Sequence, residues 1–121
     1  MDLEFNNNTP IYLQIVDKLK ILIIKGEMKS GSRIPSVREL ALTLKVNPNT
    51  IQRALMELEN ENLIYTERTN GKFVTENQDL INKKKEEYAI NLSKEYFYNM
   101  KEIGFSKNEA INLIKDMKGM E

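Results

Sequence analysis

Pro10, Pro35 and Pro48 are the only prolines of this chain, and they cut its first half into pieces that no single helix can span. Proline lacks the N–H that an internal helical bond needs, and its ring collides with the turn before it. In the first turn of a helix neither fault matters, so each proline also marks a place where a helix can start. After Thr9-Pro10, with Thr9 as the expected N-cap, Tyr12, Ile15, Val16, Leu19 and Ile23 recur at helical spacing up to Gly26. The polar run Lys29 to Arg33, with Gly31 inside it, leads to Ile34-Pro35, where the residue before proline is biased toward extended backbone and the chain turns.

Ser36 and Glu39 form a capping-box pattern, and Val37, Leu40, Ala41 and Leu44 supply the buried stripe of a short second helix that ends near Lys45. After Val46, Asn47 is a good N-cap and Pro48 suits the first helical position. Ile51, Ala54, Leu55 and Leu58 then mark the inward face of a third helix. Two helices joined by so few residues form a helix-turn-helix. Leu63 to Arg68 and Phe73 to Thr75 are short β-prone runs around Thr69-Asn70-Gly71-Lys72, and Asn-Gly predicts a type I′ hairpin with positive φ at both central residues. That hairpin is the candidate wing.

From Asn77 the composition turns charged and helical. Ile81, Tyr88, Leu92, Tyr96 and Met100 share one face of a long helix that Gly104 is placed to end. Ser106 with Glu109 starts a fifth helix, whose apolar face is Ala110, Leu113, Ile114 and Met117 before Gly119. The expected fold is mainly α with a small β-hairpin: a winged helix-turn-helix over residues 1–76, then two C-terminal helices over 77–121.

The chain has no cysteine and no histidine, which removes most nucleophile–base pairs and transition-metal sites. The expectation is therefore no enzyme, no catalytic residue, no metal and no cofactor. Glu57, Glu59 and Glu61 read as an acidic helix face. The longest apolar stretch, Ile21 to Ile24, is far short of a membrane span, and the N-terminus, opening with Asp2 and Glu4, lacks a secretory pattern. A cytoplasmic location without membrane contact is the expectation.

Eighteen basic residues balance eighteen acidic ones, yet the charge is uneven. Between Met28 and Arg53 stand Lys29, Arg33, Arg38, Lys45 and Arg53 against Glu39 alone. A local basic region on a neutral chain fits a polyanion bound on one face. The start of the second helix of a helix-turn-helix enters the major groove of double-stranded DNA, where Asn and Gln can pair with adenine, Arg with guanine, and Thr can reach a phosphate or a thymine methyl. The candidates there are Asn47, Asn49, Thr50, Gln52 and Arg53. Asn47 is first a cap, and Thr50 can complete the capping geometry, so base reading falls mainly to Asn49, Gln52 and Arg53. Arg38 and Arg33 are placed to grip phosphate, with a surface ion pair as the alternative. In the wing, Asn70 and Gly71 serve the turn while Arg68 and Lys72 can touch the DNA backbone or minor groove. The zero net charge leaves a second reading, a winged-helix module that docks a protein.

The run GSRIPSVRELALTLKVNPNTIQRALMELENENLI at 31–64, with NGKFV at 70–74, resembles the N-terminal winged-helix domain of GntR-family bacterial transcriptional regulators over about residues 9–75. The short tail resembles the YtrA-type subfamily, in which two helices replace a ligand-binding domain. The resemblance implies a homodimeric transcriptional regulator, a repressor in the leading reading, formed largely through the tail and binding a pseudo-palindromic operator. It also implies a link to transporter operons. The dimerisation residues are then Tyr88, Leu92, Tyr96, Met100, Leu113, Ile114 and Met117. Larger relatives carry Arg where this chain has Pro48 and Gln52, so Arg38, Asn49, Thr50 and Arg53 are the residues carried over. Whether a small-molecule effector exists stays open at this level, since the tail is too short for a separate pocket domain.

Overall fold

All three prolines stand at helix starts. Pro10 is the N-cap of α1 (Ile11–Ile24), Pro35 precedes Ser36, the cap of α2 (Val37–Leu44), and Pro48 is the first residue of α3 (Pro48–Asn60). The computed structural model describes residues 3–119. After α3 come β1 (Ile64–Glu67), β2 (Gly71–Val74), α4 (Gln78–Glu102) and α5 (Lys107–Asp116). The chain divides into two compact units with the boundary between Lys85 and Glu86, inside α4.

Thr9 does not cap α1. Pro10 takes that position without a side-chain cap, and the first turn is tied down by Gln14, whose Nε2 donates to the carbonyls of Asn6 and Thr9 at 2.9 and 2.8 Å. The proline carbonyl accepts from Leu13 and Gln14, so the helix begins one residue later than a threonine cap would place it. The capping box of α2 forms as read: Ser36 Oγ accepts from the Glu39 amide at 3.1 Å, and the Glu39 carboxylate accepts from the Ser36 amide.

The core of the first unit is built from three helical stripes and the hairpin. Ile15, Val16, Leu19 and Ile23 of α1 meet Leu40, Ala41 and Leu44 of α2 and Ile51, Ala54, Leu55 and Leu58 of α3 in one buried cluster, closed by Leu63, Ile64, Val74 and Ile81. Ile51, Ala54 and Leu58 are wholly buried. Each large member contributes about 1.5–3 kcal/mol by leaving water. Ile81, although it lies on α4, belongs to this cluster rather than to the tail.

The hairpin differs from a type I′ turn. Its strands pair with Ile64 opposite Val74 and Glu67 opposite Gly71, which leaves a three-residue loop, Arg68-Thr69-Asn70. The Asn70 amide donates to the Glu67 carbonyl at 3.2 Å and its side-chain nitrogen to Glu67 Oε2, so a turn closes two residues earlier than Asn-Gly suggested. Asn70 is not among the positive-φ residues, whereas Gly71 has φ +98°. A three-residue loop followed by a glycine in this region is another regular hairpin solution. The other edge of β2 takes residues 31–34: Gly31 and Ile34 donate to the carbonyls of Val74 and Lys72, and the Val74 amide donates to Ser32. The segment before α2 thereby becomes a third ribbon of the wing.

Helix ends supply two features that the spacing of apolar residues does not show. Asn62, φ 61°, ends α3 in a Schellman turn, its amide donating to Glu59 and that of Leu63 to Leu58. Lys45, at φ 57° and ψ 48°, takes the left-handed conformation that lets Val46 donate back to Ala41 and turns the chain from α2 into α3. For a side chain other than glycine this conformation costs roughly 1–2 kcal/mol, while glycine's extra chain entropy costs ~0.5–1. Lys45→Gly is therefore expected to raise the unfolding free energy by about 0.5–1 kcal/mol. Denaturant titration of the two proteins measures this, and an unchanged or lower midpoint contradicts it.

Candidate nucleic-acid interface

The buried stripe of α3 dictates what its other side shows. With Ile51, Ala54, Leu55 and Leu58 turned inward, Asn49, Gln52, Arg53 and Met56 lie together outside, at the helical offsets of three and four residues. All four are exposed. Asn47 Oδ1 accepts from the Asn49 amide at 2.7 Å, so Asn47 is the cap and its oxygen is already engaged. The cap closes on Asn49, and Thr50, half-buried, contributes its amide to the Asn47 carbonyl rather than its hydroxyl to the cap. Met56 was not singled out from sequence. Its signal is an apolar residue on the polar side of the helix, three positions beyond Arg53.

Arg53 is not simply extended into solvent. Its guanidinium carbon sits 3.8 Å from the centroid of the Tyr12 ring, which α1 supplies. Tyr12 belongs to the apolar stripe by spacing, yet it is only half-buried, and with Ile11, Asn49, Thr50 and Arg53 it lines a surface cleft of about 410 Å³. On the other side of the turn, Arg38, Leu42, Val46 and Pro48 border a second, more apolar cleft of about 360 Å³. Arg38 is exposed and makes no ion pair among the described residues.

The wing separates its four candidate residues. Arg33 donates from Nε to the Asn70 carbonyl at 3.1 Å, so it braces the loop, and it makes no ion pair among the described residues. A Cβ at Gly71 would come within 3.2 Å of that Nε, which with its positive φ explains glycine there. Arg68 is exposed on the loop. Lys72 points instead toward α3: its Nζ donates to Glu59 Oε1 at 2.5 Å and to Thr66 Oγ1 at 2.8 Å, while the Thr66 hydroxyl donates to the same Glu59 oxygen. Arg33, Arg68 and Lys72 nonetheless border one cleft of about 290 Å³ between the loop and the start of α2.

The acidic end of α3 is neutralised within the fold. Glu59 is held by Lys72 and Thr66, and Glu61 by Lys20 of α1 at 2.9 Å and Lys84 of α4 at 3.2 Å. Hydrogen bonds from Lys72 and then Thr66 hold the Glu59 carboxyl below the usual carboxylate range. Burial works against the charge of Glu61, but hydrogen bonds from Lys20 and Lys84 outweigh it and lower its pKa as well. Lys29, Arg33, Arg38, Lys45 and Arg53 are all exposed and take part in none of these pairs. Positive charge is therefore presented around the N-terminal part of α3.

In the second unit, Tyr96 donates from its hydroxyl to the Ala110 carbonyl at 2.7 Å, which ties α5 to α4. Ala110 is the only buried hydrophobic residue of this unit among the described residues. Leu92, Leu113, Ile114 and Met117 are exposed, as are Ile90, Tyr98, Ile103 and Phe105, while Tyr88 and Met100 are half-buried. Met117 lies just beyond α5 in extended backbone, not on its helical face. Among the described residues no three carboxylates gather as a metal site, and no helix is long and apolar enough to cross a membrane.

The family model for bacterial regulatory proteins of the gntR family matches residues 11–74. The transcriptional repressor YtrA of Bacillus subtilis is 49% identical over 71 residues, 59% of this chain and 55% of that protein. A GntR family transcriptional regulator from Listeria monocytogenes has a similar structure, with a TM-score of 0.87 and 38% identity over 94% of this chain and all of that one. The crystal structure of AraR(DBD) in complex with operator ORX1 matches with a TM-score of 0.58 and 25% identity, over 62% of this chain and 96% of that one.

Because the Glu59 and Glu61 pKa values are depressed by folding, their stabilisation is complete above the ordinary carboxylate value and is lost as pH falls through the lower folded values. Unfolding free energy is expected to fall from about pH 5 to pH 3, and Glu59→Gln with Glu61→Gln should flatten that fall. Denaturant titrations across the range check this, and an equally steep fall in the double variant contradicts it.

Proposed function

Since this chain belongs to the gntR family of bacterial regulatory proteins and is a DNA-binding transcriptional regulator, we propose that it acts in the cytoplasm as a homodimeric, non-catalytic repressor that reads a pseudo-palindromic operator through α3. The observation that carries this reading is the exposed row Asn49, Gln52 and Arg53 on a helix whose opposite face is sealed into the core. Side chains at the start of such a helix reach base edges: asparagine and glutamine suit adenine, and arginine suits guanine. Thr50 and the exposed Arg38 act on phosphate, and Arg68 on the backbone or minor groove beside the wing. Arg33, Asn70 and Gly71 shape the wing, while Asn47 and Lys72 hold the helix start and the wing in place. The operator complex of AraR(DBD), a relative of similar structure, supports this mode of binding.

Residues 77–121 act as the dimerisation tail. A unit that buries so little of its apolar surface has a strong reason to find a partner, and a second copy of the same chain supplies an identical surface. Leu92, Leu113, Ile114 and Met117 would lie in that interface, with Tyr88, Tyr96 and Met100 supporting it from α4. Two recognition helices would then meet half-sites about one DNA turn apart, ~34–36 Å. The low net charge makes this coupling important, since one half-site alone offers few phosphate contacts.

Arg53→Ala and Asn49→Ala are each expected to cost ~1–3 kcal/mol on a duplex that the wild-type protein selects from a randomised pool, with relaxed preference at one base position. Arg38→Ala should instead weaken all sequences alike and lower the slope of log affinity against log salt by about 1. Titrations at several salt concentrations measure both, and wild-type affinity and preference in Arg53→Ala would overturn its role. Leu113→Glu combined with Ile114→Glu is expected to shift the protein from dimer to monomer in sedimentation and to weaken operator binding at least tenfold, an order-of-magnitude figure for loss of the second half-site. A wild-type protein that sediments as a monomer while binding its operator would contradict the dimer.

A further inference from the structure

A long arginine on an exposed helix face has several rotatable bonds, and ordering them on binding opposes affinity. In this protein the second residue of α1 stands beneath that arginine. The Arg53 guanidinium carbon is 3.8 Å from the Tyr12 ring centroid, within the range where a ring face attracts a cation. So close an approach brings the flat face of the guanidinium to the ring and leaves its five N–H donors, which lie in the guanidinium plane, for other partners. Tyr12 is itself half-buried against the core cluster that α1 shares with α3, so the ring is held by the same packing that holds the helix. Tyr12, Asn49, Thr50 and Arg53 line one cleft beside the start of α3.

From this geometry we infer that Tyr12 is a positioning residue for DNA recognition: its ring holds the Arg53 guanidinium with its N–H edge presented for a guanine. The inference rests on the reading of α3 as the base-reading helix. It makes α1, otherwise a core element, a contributor to sequence preference. The hydroxyl of Tyr12 is not required, because the attraction uses the ring face, and phenylalanine serves as well.

The test uses the full chain and a duplex selected by the wild-type protein from a randomised pool, titrated at fixed salt beside duplexes altered at each guanine. Tyr12→Phe is expected to bind within about twofold of wild type, and Tyr12→Leu to lose about three- to tenfold, with reduced discrimination at the guanine that Arg53→Ala also affects. In an Arg53→Ala background, Tyr12→Leu is expected to add no further loss, which separates positioning from a general weakening of the fold. Tyr12→Leu binding as well as or better than wild type, or losing the same factor in both backgrounds, overturns the inference while the base-reading role of Arg53 stands. Arg53→Ala without effect removes that role, and the inference falls with it.

Discussion

The packing of Ile51, Ala54, Leu55 and Leu58 of α3 into the cluster formed with α1 and α2 is the contact on which the rest of the structure depends. Because this stripe is buried, the rotation of α3 about its axis is settled, and with it the identity of every outward residue. The turn from α2 to α3 works to the same end. Lys45 in the left-handed conformation, the Asn47 cap and Pro48 at the first helical position together leave no slack in which the helix could slide. The wing is tied in at the far end by Lys72, Glu59 and Thr66. A reading element needs this rigidity, since a side chain displaced by about 1 Å no longer matches a base edge.

Electrostatics explains how a chain of zero net charge can present a basic face. Glu59 and Glu61, near the end of α3, are engaged by Lys72, Lys20 and Lys84, so these two carboxylates are neutralised within the fold. The cations between Lys29 and Arg53 have no such partners among the described residues and remain exposed. The same balance of charge limits the affinity of one domain for phosphate, which is why the proposed dimer matters to binding.

Much of this was legible in the residues themselves. The prolines, the two capping boxes and the apolar spacings located all five helices, because each rests on chemistry within one or two turns. What was not legible lay in contacts between distant segments or in backbone conformations that a residue type only tolerates. Thr9 looked like a cap, but Gln14 reaching back to Asn6 and Thr9 organises that end. Asn70-Gly71 suggested a two-residue turn, whereas the pairing of Glu67 with Gly71 and the brace from Arg33 select a three-residue loop. Lys45 at positive φ carries no sequence signal at all. For the candidate site, the outward row on α3 followed from helical spacing, while the occupation of Lys72 by Glu59 and the pairing of Tyr12 with Arg53 depend on which segments fold together.

The central claim is that the outer face of α3 reads base edges in the major groove. Dimethyl sulfate tests it directly, because it methylates guanine N7 in the major groove and adenine N3 in the minor groove. On a duplex selected by the wild-type protein, guanine N7 is expected to be protected in two clusters about 10 base pairs apart. Protection confined to adenine N3, or no protection at protein concentrations that saturate the duplex, would contradict it.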